Sequence, residues 1–146
     1  MSRTISYKGR LADGGQDTIN LHTNDGKTGY KIVDFRIFQQ KPGTLTQEST
    51  VQIFSVKQTT VSTTAVDVDF SDITLLAAAA LADWSDRILS EDVVVFDNMI
   101  FNQDIYITHT ETAGTAFCNY YIELEQMDLT EDQALVAIVK NLRNEQ

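Results

Sequence analysis

Apolar and polar residues alternate along most of this chain, and the clearest alternation lies between Phe101 and Gln126, FNQDIYITHTETAGTAFCNYYIELEQ. Ile105, Ile107 and His109 fall on one face of an extended run, with Tyr106, Thr108 and Thr110 on the other. Cys118, Tyr120, Ile122 and Leu124 likewise alternate with Asn119, Tyr121, Glu123 and Glu125. A period of two is the mark of a strand with one dry and one wet face, and Tyr, Ile, Thr and Phe suit such a surface. The two runs are joined by a short connection containing Ala113-Gly114, which predicts a long antiparallel hairpin in the middle of a sheet.

Similar runs occur upstream. Thr4–Lys8 leads into the turn cluster Ala12-Asp13-Gly14-Gly15, and Gln16–His22 places Ile19 and Leu21 on one face before Asn24-Asp25-Gly26. Tyr30–Phe38 sets Val33, Phe35 and Ile37 against Asp34, Arg36 and Phe38. Residues 39–48 hold the only proline and read as an exposed loop. Ser49–Val61 alternates again, with strong β-branched content, and Val66–Phe70 is a shorter alternating run. Between 73 and 84 two readings compete. Four consecutive alanines favour a helix, yet the run lacks a polar face until Asp83. The β-like neighbours tip the balance towards a strand buried on both faces. The polar stretch 85–92 reads as a loop, and Val93–Phe96 leads into the central hairpin.

The pattern changes at the end. Thr130 followed by Gln133 is a capping box, and Leu135, Ile138, Val139 and Leu142 then form one apolar stripe at helical spacing. Acids at the start and Lys140 and Arg143 near the end suit the helix dipole. The expectation is a C-terminal α-helix over about 131–144, following seven to nine short strands. The fold class is therefore mainly β: an antiparallel β-sandwich or jelly-roll-like domain over residues 1–146, with that helix appended.

Composition narrows the functional classes. With 146 residues and 42% hydrophobic content the chain can bury a core. A net charge of −10 repels phosphate backbones, so nucleic acid is not an expected partner. The start MSRTISYKGRL carries no apolar h-region, and the apolar run Leu75–Ala82 is too short to cross a membrane. These features argue against a secretory signal and against a membrane partner. The one cysteine, Cys118, shares a face with Ile122 and Leu124 and reads as a small buried hydrophobe.

Candidate chemistry is sparse. Gly26-Lys27-Thr28 resembles the end of a phosphate-binding loop, but Leu21 stands where that loop needs a glycine. His22 and His109 are the only histidines; each is expected at a strand end with its ring partly solvated, without a shared metal site. Asp67, Asp69 and Asp72 offer a calcium candidate, weighed against a solvated strand face. Asp83, Asp86, Glu91 and Asp92 read as a charged loop. Glu123 and Glu125 share a strand face but lack the cleft that paired catalytic acids require. No catalytic residue and no cofactor is assigned. Phe38 and Tyr121, aromatic residues on polar faces, are interface candidates together with the helix stripe Leu135, Ile138, Val139 and Leu142.

The run FNQDIYITHTETAGTAFCNYYIELEQ, a short acidic turn and LTEDQALVAIVKNLRN together resemble small virion proteins of marine tailed bacteriophages, of the capsid-decoration or head-associated kind. The resemblance covers roughly 92–143. It implies a β-rich, oligomeric protein that clamps or decorates a capsid shell, is made in the host cytoplasm and resides in the virion. It transfers no catalytic residue. The leading expectation is a structural homo-oligomer on a capsid or similar shell. The rival is a carbohydrate- or receptor-binding β-module of a tail or attachment apparatus, using Tyr30 or Trp84 and a calcium held by the aspartates. A jelly-roll enzyme is the third option, weakened by having only two histidines.

Overall fold

The computed structural model describes residues 3–43, 46–83, 90–96, 99–130, 133 and 136. Among the described residues there are eight strands: β1 (Arg3–Leu11), β2 (Gln16–Ile19), β3 (Thr28–Gln39), β4 (Gln47–Phe54), β5 (Leu75–Asp83), β6 (Ser90–Val95), β7 (Ile105–Glu111) and β8 (Cys118–Asp128). They form two antiparallel sheets, one ordered β1-β8-β3 and the other β2-β7-β4-β5-β6. Both sheets contribute to one hydrophobic core. Ile37, Phe35, Ile122 and Leu124 come from the first sheet, and Val51, Ile53, Ile105 and Ile107 from the second. Burying each such side chain contributes about 1.5–3 kcal/mol.

The alternation in β8 folds as the sequence predicts, with Cys118, Tyr120, Ile122 and Leu124 buried and Asn119, Tyr121, Glu123 and Glu125 half-buried on the outer face. In β7, Ile105, Ile107 and His109 point into the core, and Glu111 continues the same face. The predicted hairpin, however, does not form. β7 lies between β2 and β4 in one sheet, and β8 lies between β1 and β3 in the other. Residues 112–117 therefore cross from sheet to sheet. Two half-buried strands look the same in sequence whether they pair or face each other, and a connection of this length fixes neither arrangement.

Three further differences have local causes. Val33 is 43% exposed, because the ladder between β3 and β8 shifts register between Ile32 and Asp34. The extra residue is pushed out, so Ile32 points inward on one side of the bulge and Phe35 and Ile37 on the other. Residues 66–70 are not a strand but part of a long connection between β4 and β5. That connection straps the outer face of the five-stranded sheet. Gln16 Nε2 donates to the Gln58 carbonyl and Gln58 N to Gln16 Oε1, both at 2.9 Å, and Thr110 Oγ1 donates to the Ser62 carbonyl at 2.9 Å. This cover explains why Thr108 and Thr110 are buried although they face away from the core.

The alanine-rich stretch is strand β5, buried at Leu75 through Ala79 and again at Leu81 and Asp83. Alanine gives a central strand a low profile on both faces, which overrides its helix propensity. The polar stretch that follows is not all loop, since β6 begins at Ser90. At the C-terminal end the capping box is present. Thr130 N donates to Gln133 Oε1 at 2.9 Å and Gln133 N to Thr130 Oγ1 at 3.2 Å. Apart from Val136, the remainder of the predicted helix over 131–144, including Leu135, Ile138, Val139 and Leu142, lies outside the described residues.

Gly9 illustrates how closely the sheets are fitted. It pairs with Tyr120, whose phenol donates a 2.8 Å hydrogen bond to Asp17 Oδ2 on β2 and so ties one sheet to the other. A Cβ at position 9 would fall 2.5 Å from Tyr120 Oη and 2.6 Å from Cζ. Gly9→Ala is expected to destabilise the fold by about 1–3 kcal/mol through overpacking. Gly114→Ala, where a Cβ meets nothing within 4 Å, should be close to neutral in the same urea titration. Equal midpoints for the two variants would refute this account.

Candidate functional site

The residue types that bear chemistry converge at one end of the core, on β4 and β7. Antiparallel register sets Ser49 opposite Glu111 and Val51 opposite His109. The inward positions of the two strands therefore carry Gln47, Ser49, His109 and Glu111 side by side, all fully buried. Ser49 Oγ donates to Glu111 Oε1 at 2.7 Å and receives Gln47 Nε2 at 2.8 Å. His109 Nε2 lies 3.0 Å from the same hydroxyl. His109 Nδ1 is 3.1 Å from the carbonyl oxygens of both Leu11 and Ala12, so this nitrogen carries its proton. Glu111 Oε2 accepts the Glu48 and Ala113 amides at 2.9 and 3.1 Å. Gln47 completes the cluster by donating to the Phe117 carbonyl and accepting the Gln40 amide.

A serine, a histidine and an acid are the components of a hydrolytic triad, but the contacts run in the wrong order. In a triad the imidazole stands between hydroxyl and carboxylate, and the hydroxyl faces substrate. Here the hydroxyl stands between the other two and is sealed from solvent. The trio serves as structural wiring: it meets the hydrogen-bonding needs of a buried carboxylate that would otherwise be very costly to desolvate. Asp83, on the inward face opposite Gln47, adds another buried carboxylate, and its Oδ2 has no hydrogen-bond partner among the described residues.

The histidines do not behave alike. His109 is completely buried, contrary to the expected half-solvated ring at a strand end, because an alternating strand carries its inward face on past the last apolar residue. His22 is exposed, and its Nδ1 lies 2.7 Å from Asp104 Oδ1, which also accepts the Leu21 and His22 amides at 2.8 and 3.0 Å. Partial burial pushes the Asp104 carboxyl up, but these three hydrogen bonds together outweigh it and hold the group below the usual carboxylate range. The two histidines thus have separate partners.

The three aspartates of the calcium candidate are likewise not gathered. Asp69 Oδ1 accepts the Ser71 amide and hydroxyl, and Asp72 Oδ1 the Thr74 amide and hydroxyl, as turn caps. Among the described residues no group of three or more His, Cys, Asp or Glu side chains is placed to hold a metal. Glu123 accepts the Tyr121 phenol at 2.7 Å. Tyr30 is buried, stacked on Phe101 with ring centres 6.2 Å apart, and so has no face to offer a sugar. Trp84 lies outside the described residues.

Among the described residues, the outer face of the three-stranded sheet is open. Its cross-strand rows run Lys8, Tyr121, Arg36 and then Arg10, Asn119, Phe38. These six side chains line a groove of about 600 Å³. Phe38 is 59% exposed, and Arg10 lies over the ring of Phe117 at 4.8 Å. Arg36 pairs with Asp34 at 3.0 Å, whereas Lys8 and Arg10 have no carboxylate partner among the described residues. Phe38 and Tyr121 stand where the sequence placed them. The cations escape sequence reading because nothing in the chain reveals that β1 and β3 flank β8. The one available signal is the wet face of the first strand, which carries Lys8 and Arg10.

No protein-family model matches this chain, and no curated protein matches its sequence.

Two outcomes test the buried cluster. Ser49→Ala removes one partner from each of Gln47 Nε2, His109 Nε2 and Glu111 Oε1, so urea unfolding should show a loss of about 2–3 kcal/mol, beyond that of one ordinary hydrogen bond. Burial pushes the Cys118 thiol up to about 11. At pH 8 an aromatic disulfide reagent should therefore leave the folded protein unlabelled and label it stoichiometrically in urea. Fast native labelling would contradict the sealed core.

Proposed function

We propose that this chain is a structural protein that acts by assembly, forming homo-oligomers on a viral capsid or comparable shell. The observation that carries the reading is the division of labour between its surfaces. Ser49, His109 and Glu111, the groups able to form or break bonds at the core end, are buried and hydrogen-bonded to one another, while an aromatic and cationic groove stands open on a sheet face. Exposed aromatic and arginine side chains are the residues that protein interfaces favour. The strand pairing supports a finer reading of the architecture as a jelly roll. β1 pairs with β8, β2 with β7 and β4 with β5, three of the nested pairs of the jelly rolls of capsid and lectin domains, while β6 departs from that order by pairing with β5 instead of β3. The resemblance of residues 92–143 to phage decoration and head-associated proteins points the same way, as analogy.

A second reading, a carbohydrate- or receptor-binding module, has one observation in its favour: the groove itself, where Tyr121 and Phe38 offer rings and Arg10, Arg36 and Asn119 offer donors. Its calcium arm has lost its geometric basis, because Asp69 and Asp72 are turn caps.

Light scattering after size exclusion, over a concentration series into the micromolar range, discriminates the two. The assembly reading expects a mass that rises above the 16.4 kDa monomer, and the chain itself in purified particles from its source. A strict monomer at every concentration, absent from particles and positive on a glycan array, would replace the first reading with the second.

A further inference from the structure

We infer that the groove of Lys8, Arg10, Arg36, Phe38, Asn119 and Tyr121 receives the acidic segment 66–73 of a second copy, so that assembly runs head to tail. The inference rests on the assembly reading and names its contact. Residues 66–73 read VDVDFSDI, and their side chains combine two properties. Phe70 is 57% and Ile73 65% exposed, with Val68 also open to solvent, an uncommon concentration of bare apolar groups in one loop. Between them stand Asp67, Asp69 and Asp72. The segment is thus apolar and anionic at once, and the groove is apolar and cationic at once.

The segment is also held in shape before any partner arrives. Asp69 and Asp72 each commit one oxygen to a turn, and the Phe70 ring packs edge-on against Phe96 with centres 5.1 Å apart. The bonds from Ser71 hold the Asp69 carboxyl below the usual carboxylate range, which keeps it charged. A preorganised loop loses little conformational freedom on docking. The chain's net charge of −10 disfavours a phosphate polymer as the occupant, yet leaves Lys8 and Arg10, the groove cations without a carboxylate partner among the described residues, complementary to the chain's own acidic loop.

Topology dictates the mode of contact. The connection carrying 66–73 runs from β4 to β5 and sets Phe70 against Phe96 after β6, all at the five-stranded sheet, whereas the groove lies on the outer face of the three-stranded sheet. One copy therefore cannot fill its own groove. Groove and loop are different surfaces, so the contact is heterologous and closes into a ring or continues as a filament.

The test is a charge exchange in the full chain, read by light scattering at low salt. Lys8→Glu/Arg10→Glu makes the groove acidic, and Asp67→Lys/Asp69→Lys makes the loop basic. Each variant alone should associate at least about tenfold more weakly than the unaltered chain. An equimolar mixture should regain association, because each mixed contact joins opposite charges. If the unaltered chain assembles and the mixture does not, the head-to-tail contact is wrong while the assembly reading stands. If the unaltered chain is monomeric throughout, both fall. Circular dichroism checks folding; should the loop variant unfold, Phe70→Ser replaces it. Association of Phe70→Ser within about twofold of the unaltered chain would overturn the inference, and a loss of about tenfold would support it.

Discussion

Strand β8 is paired on both sides, with β1 along one edge and β3 along the other, and its inward residues close the core from that side. Cys118, Tyr120, Ile122 and Leu124 leave no room for water, and Tyr120 reaches across Gly9 to Asp17 in the opposite sheet. The rest of the fold is arranged around this dry seam. β7 supplies the facing row Ile105, Ile107 and His109 from between β2 and β4 in the second sheet. Because the seam excludes solvent, polar groups at its end must find partners within the protein, and they do so through Ser49 and Glu111.

Strand content, and which face of β7 and β8 is dry, were readable from the period of two in the sequence. For 73–84 helix and strand competed in the sequence, and only the β-like runs on either side favoured the strand that 75–83 forms. Sheet membership was not readable, because the alternation that marks a half-buried strand carries no information about its partner. The bulge at Val33 shows the same limit on a smaller scale: one inserted residue reverses the inside-outside assignment on one side of it, and no residue type announces it. The burial of His109 and Glu111 was hidden for a different reason. Titratable residues at a strand end ordinarily reach water, and only the tertiary arrangement of Leu11, Ala12 and Ser49 provides a substitute for it.

At the surface, the sequence marked Phe38 and Tyr121 as aromatics on wet faces but could not supply the company they keep. Cross-strand neighbours lie far apart in the chain: Arg10 and Phe117 meet through the pairing of β1 with β8, not through proximity in sequence. An acidic protein thus brings Lys8, Arg10 and Arg36 together on one sheet face and bare apolar groups into one loop. Folding generates that polarity, and composition alone averages it away.

The Gln47, Ser49, His109 and Glu111 cluster also acts as an alignment key. Apolar side chains tolerate sliding, since one isoleucine fills a neighbour's place almost as well as another. Slipping β7 by one residue against β4 would turn Thr108 and Thr110 inward and bring the carboxylate of Glu111 away from Ser49 and the amides that cradle it. The penalty falls on every wrong setting and spares the right one. The most polar corner of the interior thereby selects a single pairing for its most hydrophobic strands.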